Sequence, residues 1–184
     1  MEKKPTLLQF TINYGAILGV ISVIFSLILY ITGFMPYNFK RMMIVSLIGL
    51  ALTIIFISAG MKGYRDKVLG GTITYGQALM VGLLIIVFST ILTSFYNLIF
   101  NLYIDPEYNG KMIEASKNST YDWMNKMGAP EGQIEEQMER FDKQLEDSTP
   151  LKLFFQSLYM SAIFGFILSL IIAAFTKKNR NPVA

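Results

Sequence analysis

The sequence contains no cysteine and no histidine. The first absence excludes disulfides, a thiol nucleophile and a thiolate metal site. The second removes the commonest general base and the commonest metal ligand. Charge is also scarce. Only 16% of residues are charged, where an ordinary soluble domain has about 25%. The charges that exist avoid four long stretches entirely: residues 5–39, 42–61, 68–104 and 153–176. No Asp, Glu, Lys or Arg interrupts them. Ionisable groups at depth in a bilayer mark proton relays and coupled-ion sites, so this distribution argues against a proton-coupled transporter. It leaves a passive channel or a lipid-binding site open.

What fills those stretches is apolar. Hydrophobic residues make up 53% of the chain, and about 20 consecutive apolar residues cross a hydrocarbon core. A backbone in lipid must satisfy its own hydrogen bonds, so each stretch reads as a transmembrane helix. The expected fold is all-α: an integral membrane four-helix bundle with spans over residues 7–34, 42–61, 74–104 and 153–176. The first stretch is far longer than the ~7–15 residues of a signal-peptide core, and reads as an uncleaved helix.

The net charge of +3 carries no nucleic-acid signature. Nucleic-acid binders cluster basic residues on an exposed face, whereas here they flank the spans. Lys3, Lys4, Lys62, Arg65, Lys67, Lys177, Lys178 and Arg180 fall on one side of the predicted membrane, with only Glu2 and Asp66 against them, a net +6. The other side carries a net −3 despite Lys40 and Arg41. The positive-inside rule then places both termini in the cytoplasm and the long third loop outside.

That loop, residues 105–150, reads as a helical hairpin rather than a linker. Asp105-Pro106-Glu107 has the order of an N-cap followed by the first two helical positions. Met112, Trp123, Met124 and Met127 follow, and Gly128 ends this helix. Pro130 opens a second one, with Ile134, Met138, Phe141 and Leu145 at helical spacing and i,i+4 ion pairs alongside. Thr149-Pro150 caps the fourth span. Asp105, Glu107 and Glu114 offer oxygens to a hard cation, but a cap explains the first two more simply. No catalytic residue, cofactor site or metal site is assigned.

Small and polar residues inside the spans are the remaining signal. Ser157, Ser161, Gly165, Ser169 and Ala173 recur every fourth position in the last span, and Gly15 and Gly19 lie in the first. Helices in lipid associate through close packing, so small residues gather where backbones approach. Within one bundle, Gly15 and Gly19 are expected to face Gly165, Ser169 and Ala173. The same ridge read outward is an oligomer interface. Thr90, Ser94, Asn97 and Asn101 form a polar stripe on one face of the third span. They serve either interhelical hydrogen bonds or a solute path. The first and third spans also share a run, Thr11-Ile12-Asn13-Tyr14-Gly15 against Thr72-Ile73-Thr74-Tyr75-Gly76. This hints at a duplicated hairpin related by an axis along the membrane normal, with chance as the alternative.

The sequence resembles a family of small membrane proteins of Bacteroidota that carries a domain-of-unknown-function label. Gly60-Met61-Lys62-Gly63-Tyr64-Arg65-Asp66, Gly71-Thr72-Ile73-Thr74-Tyr75-Gly76-Gln77-Ala78 and Asp105-Pro106-Glu107-Tyr108 carry the resemblance. It extends over nearly the whole chain, through the shared layout of four helices with a long third loop. It implies a bacterial inner (cytoplasmic) membrane and supplies no activity or site residue. The favoured reading is a non-enzymatic structural or accessory subunit. It would sit in the lipid bilayer and dock a membrane or periplasmic protein partner, or a second copy of itself as a homo-oligomer. The alternative is a small-solute or lipid transporter or channel that uses the stripe on the third span.

Overall fold

The computed structural model describes residues 5–178. Lys3, Lys4, Arg180 and Glu2, which enter the charge asymmetry, lie outside the described residues. Among the described residues there are six α-helices and no strand: α1 (Leu7–Ile31), α2 (Phe39–Lys67), α3 (Tyr75–Ile99), α4 (Tyr108–Lys126), α5 (Glu131–Asp147) and α6 (Pro150–Thr176). A π-turn over Phe100–Ile104 continues α3. Four of these helices, α1, α2, α3 with its π-turn, and α6, are long and apolar enough to cross a membrane.

Local chemistry sets the helix starts. Thr6 Oγ1 accepts from the Gln9 amide at 3.3 Å, and Gln9 Oε1 accepts from the Thr6 amide at 3.1 Å. Thr74 and Gln77 repeat this reciprocal box at the start of α3. Asn38 caps α2 through the Arg41 amide, and Thr149 caps α6 with Pro150 in its first turn. The Asn38 cap starts α2 at Phe39, before Lys40 and Arg41, and the helix runs past Lys62 to Lys67. It is therefore longer at both ends than its charge-free stretch. Basic side chains near helix ends reach toward the interface, which lets them sit on a spanning helix.

The helix α3 is the centre of the assembly. Of its most apolar stretch 44% is buried, against 6% for α2. Contacts with α1 advance in the same direction along both chains, so the two are parallel: Gly15 lies against Ile85 and Phe88, and Gly19 against Ser89 and Leu92. The opposite flank of α3 takes α6 antiparallel, with Ser169 against Gly82, Gly165 against Ile86, and Ser157 bonded to Ser94 at 2.6 Å. This corrects the expected pairing of Gly15 and Gly19 with Gly165, Ser169 and Ala173. The small residues of α1 and α6 do not face each other, because α3 stands between them. Gly82 and Ser89 give α3 close-approach surfaces of its own toward α6 and α1.

The helix α2 joins this core only through its last turns. Ile57, Gly60, Met61 and Tyr64 are its buried residues. Gly60 receives Ile85, and Gly63 receives the Tyr14 ring. Phe10 stacks on Tyr14 and meets Tyr64 edge-on. The other half of α2, toward Phe39, stands away from α3.

At the far end, the Asp105 amide donates to the Phe100 carbonyl at 3.0 Å, the i→i+5 bond of the π-turn. Phe100 and Asn101 are both buried there. The chain then turns through Asp105 and Pro106, and α4 begins at Tyr108 with no side-chain cap. Asp105 is thus not the expected N-cap. Its carboxylate instead accepts from Tyr30 Oη at 3.4 Å and lies 3.6 Å from Lys111 Nζ. The helices α4 and α5 form a hairpin about Gly128, whose φ of +69° suits glycine. Ile113 of α4 and Ile134 of α5 are buried, and Lys117 pairs with Asp142 across the hairpin. The hairpin is tied down at two points. Tyr108 packs edge-on against Tyr30 and Phe100. Trp123 stacks on Phe39 at 6.1 Å, and Ser119 donates to the Tyr37 carbonyl. It therefore bridges the ends of α1 and α3 to the start of α2. At the opposite end, Ile73 and Lys178 exchange two backbone hydrogen bonds of 3.0 Å, fastening the chain after α6 to the segment before α3.

Candidate functional site

The departure of α2 from α3 leaves a cleft of about 400 Å³ midway along the spanning helices. Every spanning helix contributes to it: Leu18 and Ser22 from α1, Thr53 from α2, Ile86, Ser89 and Thr90 from α3, and Met160, Ser161, Phe164 and Gly165 from α6. No ionisable side chain lines it. Ser22 and Thr53 spend their hydroxyl protons on their own helices, donating to Leu18 and Gly49 carbonyls at 2.8 Å. The hydroxyls of Ser89, Thr90 and Ser161 have no hydrogen-bond partner among the described residues. Ser89 and Thr90 are buried residues and Ser161 is half-buried; a hydroxyl in an apolar medium gains by finding a partner, so three of them facing one space can receive a ligand. Met160 and Phe164 are more than half exposed, which leaves the cleft open on the α6 side.

A second cavity, of about 340 Å³, lies beneath the π-turn. It is walled by Ser94, Asn97, Leu98 and Asn101 of α3, by Tyr108, Asn109 and Met112 of α4, and by Pro150, Leu153, Phe154 and Ser157 of α6. Asn101 donates its Nδ2 to the Asn97 carbonyl at 2.7 Å, and its buried Oδ1 has no partner. Burial drives the Tyr108 phenol up to about 12, with the charges of neighbouring Tyr96, Tyr37 and Asp105 adding to the effect. The phenol therefore stays neutral and keeps its donor proton.

The polar stripe of α3 is thus divided. Thr90 belongs to the cleft, and Ser94, Asn97 and Asn101 belong to the cavity under the π-turn. The Ser94–Ser157 hydroxyl pair pins α3 to α6 between these levels. Among the small residues, Ser161 and Gly165 line the cleft, while Ser169 and Ala173 are fully buried. Ser169 Oγ, pressed toward Gly82 and Met61, has no partner. Ser89, Thr53, Tyr108 and Asn109 are site residues that the sequence did not reveal. Ser89 carried a signal, one position from Thr90 and on the face toward Gly19. The others lie on different helices from the stripe, and no spacing rule links them to it. Asp105 and Glu107 both turn to Lys111, at 3.6 and 3.1 Å. Among the described residues no three acidic side chains come together as a cation site.

The arrangement is one of binding surfaces: hydroxyl, amide and phenol groups set in apolar walls. No curated protein and no solved structure matches the chain. Residues 13–178 match the model of a family described as a protein of unknown function (DUF4199), and with that match spanning nearly the whole sequence, the chain belongs to that family.

Proposed function

We propose that this is a non-enzymatic, multi-pass protein of the bacterial inner membrane that holds a lipid-soluble molecule in the cleft between α2 and the α1–α3–α6 layer. The observation that carries the reading is the position and lining of that cleft. It lies midway along the spans, where the surrounding medium is hydrocarbon. Its volume falls in the range of ligand pockets, about 300–1,000 Å³. Its walls are apolar, free of charge, and carry the three unpaired hydroxyls of Ser89, Thr90 and Ser161. An apolar molecule bearing a carbonyl or ether oxygen meets those requirements and arrives from the bilayer. The division of the α3 stripe favours holding a ligand over conducting a solute along it.

The orientation follows the charge asymmetry. Lys62, Arg65, Lys67, Lys177 and Lys178 gather at the end of the assembly where α2 meets α3, and the positive-inside rule supports reading that end, with both termini, as cytoplasmic. The α4–α5 hairpin, with its acidic excess, then stands on the periplasmic side.

The test is purification from native membranes in a mild detergent, with mass spectrometry of the intact complex and of its organic extract. Ser161→Leu fills the cleft without adding charge. A reproducible lipid-soluble component that is present in the wild type and lost from Ser161→Leu supports the reading. Equal recovery from both proteins, or none from either, overturns it.

An accessory role is the second reading, and a separate observation favours it. The Met138 and Phe141 face of α5 is half-buried in the hairpin, but Tyr121 of α4 and Met127 just past its end remain 49% and 68% exposed. A membrane or periplasmic partner that co-purifies in stoichiometric amount, and is lost from Met127→Lys, would place this reading first. A homo-oligomer formed through the same hairpin would show the same dependence in its mass.

A further inference from the structure

The cavity under the π-turn is independent of the cleft and supports a conclusion of its own. An ordinary α-helical continuation of α3 would satisfy backbone groups with i→i+4 bonds. The π-turn inserts an extra residue into that ladder, and such bulges recur at functional sites. Here the turn holds Asn101 in the cavity wall, 5% exposed. The Asn97 carbonyl can only accept, so the amide nitrogen of Asn101 must face it. Its oxygen is left without a donor. Almost every buried side-chain acceptor in a folded protein has a partner, so this oxygen is an unmet demand for an N–H or O–H group.

The rest of the wall defines what brings that donor. Asn97, Asn109, Tyr108, Ser94 and Ser157 supply amide, phenol and hydroxyl groups that donate or accept. No Asp, Glu, Lys or Arg lines the cavity, so a charged group entering it would lose hydration without a counter-charge. Leu153 and Phe154 present apolar surface to whatever the polar groups hold.

We propose that this cavity binds a neutral polyol, with a sugar or glycerol hydroxyl donating to Asn101 Oδ1 and neighbouring hydroxyls meeting Asn97, Asn109 and Tyr108. The same chemistry comes from two sources, a free sugar or the uncharged sugar headgroup of a lipid.

The experiment uses the full chain in nanodiscs of phosphatidylcholine, free of sugar-based detergent. Saturation-transfer difference NMR is recorded with glucose, and thermal stability is measured with and without a monoglucosyl diacylglycerol in the disc. Asn101→Leu removes the acceptor while keeping the number and branching of side-chain heavy atoms, and Asn109→Ala removes a second polar group from the α4 wall. Asn118→Ala, on α4 but away from the cavity, is the control. The expected result is a saturable response to glucose or to the glucolipid that falls at least tenfold in affinity in Asn101→Leu and several-fold in Asn109→Ala, with Asn118→Ala unchanged. A response to the glucolipid alone identifies a headgroup site, and a response to glucose identifies a free-solute site. No saturable response to either probe overturns the proposal, as does a response that survives both cavity substitutions. Should Asn101→Leu fail to fold, the Asn109→Ala comparison with Asn118→Ala decides it.

Discussion

Adding one methyl group at Gly15 tests the central position of α3. A Cβ built there stands 2.8 Å from the Ile85 carbonyl oxygen and 2.7 Å from Phe88 Cβ, where ordinary contact begins at 3.4 Å. The carbonyl is main chain and cannot rotate away, so α1 must withdraw from α3 by about 0.6 Å. Overpacking of this kind costs about 1–3 kcal/mol. Alanine recovers up to about 1 kcal/mol of helix propensity, leaving Gly15→Ala destabilised by up to about 2 kcal/mol. Gly49→Ala is the reference, because a Cβ there meets nothing within 4 Å; it gains up to about 1 kcal/mol. At Gly165 the obstacle is Ile86, whose Cγ2 and Cβ stand 2.6 and 3.1 Å from the added carbon; a β-branched side chain in a helix is held near one rotamer, so Gly165→Ala should cost about as much as Gly15→Ala. The two sites share no contacting residue, and their effects should add within about 0.5 kcal/mol. Unfolding in mixed micelles by titration with dodecyl sulfate, followed by far-ultraviolet circular dichroism, measures the three single variants and the double mutant. Equal shifts for Gly15→Ala and Gly49→Ala would refute the close approach of α1 to α3. Non-additivity above about 1 kcal/mol in the double mutant would indicate that α1 and α6 touch directly.

Three further outcomes follow from the same contacts. In a double-mutant cycle of Ser94→Ala and Ser157→Ala the coupling energy should be about 0.6 kcal/mol, the usual value for an interhelical hydrogen bond in lipid; a value indistinguishable from zero would mean that the 2.6 Å pair contributes nothing to holding α6. Burial raises the Tyr108 phenol from 10.0 to about 12, so below pH 10 its contribution to stability is constant. Between pH 10 and 12 the unfolded chain loses the proton first and stability falls as pH rises. Tyr108→Phe should flatten that part of the pH profile of unfolding, and an unchanged slope would refute the assignment. Thr74→Ala removes the α3 cap at a cost of about 1 kcal/mol, seen as faster hydrogen exchange at the Gln77 amide and its neighbours; unaltered exchange there would count against the capping box.

The parts of this structure that were legible in the sequence are those governed by short-range rules. Charge-free stretches located the four long helices, and the Thr6–Gln9 and Thr74–Gln77 boxes located the starts of α1 and α3. Pro130 and Thr149-Pro150 marked the starts of α5 and α6, and Gly128 the hairpin bend. The Asp105-Pro106-Glu107 order misled because a proline after an acid serves a turn as well as a cap, and here the π-turn consumes the Asp105 amide. No composition marks a π-turn, since it reflects how Phe100 and Asn101 pack rather than what they are. The small residues identified close approaches but not partners. Gly15 and Gly165 each announce a nearby backbone, and only the third dimension shows that both approach α3. The two cavities were out of reach for the same reason: the α3 stripe supplies one wall, and Thr53, Tyr108 and Asn109 join it from helices with no fixed spacing to it.

The central place of α3 also fixes an order of assembly. When α1 and α2 enter the bilayer they have only each other, through Phe10 and Tyr14 against Gly60, Gly63 and Tyr64. The surfaces of Gly15 and Gly19 face lipid until α3 is made. Its own flank, at Gly82 and Ile86, then waits while the whole hairpin is synthesised before α6 arrives. The half-built protein therefore exposes an unsealed helix face for the length of two further helices. The docking of Gly165 and Ser169 of α6 closes that face, and the pairing of Ile73 with Lys178 fastens it.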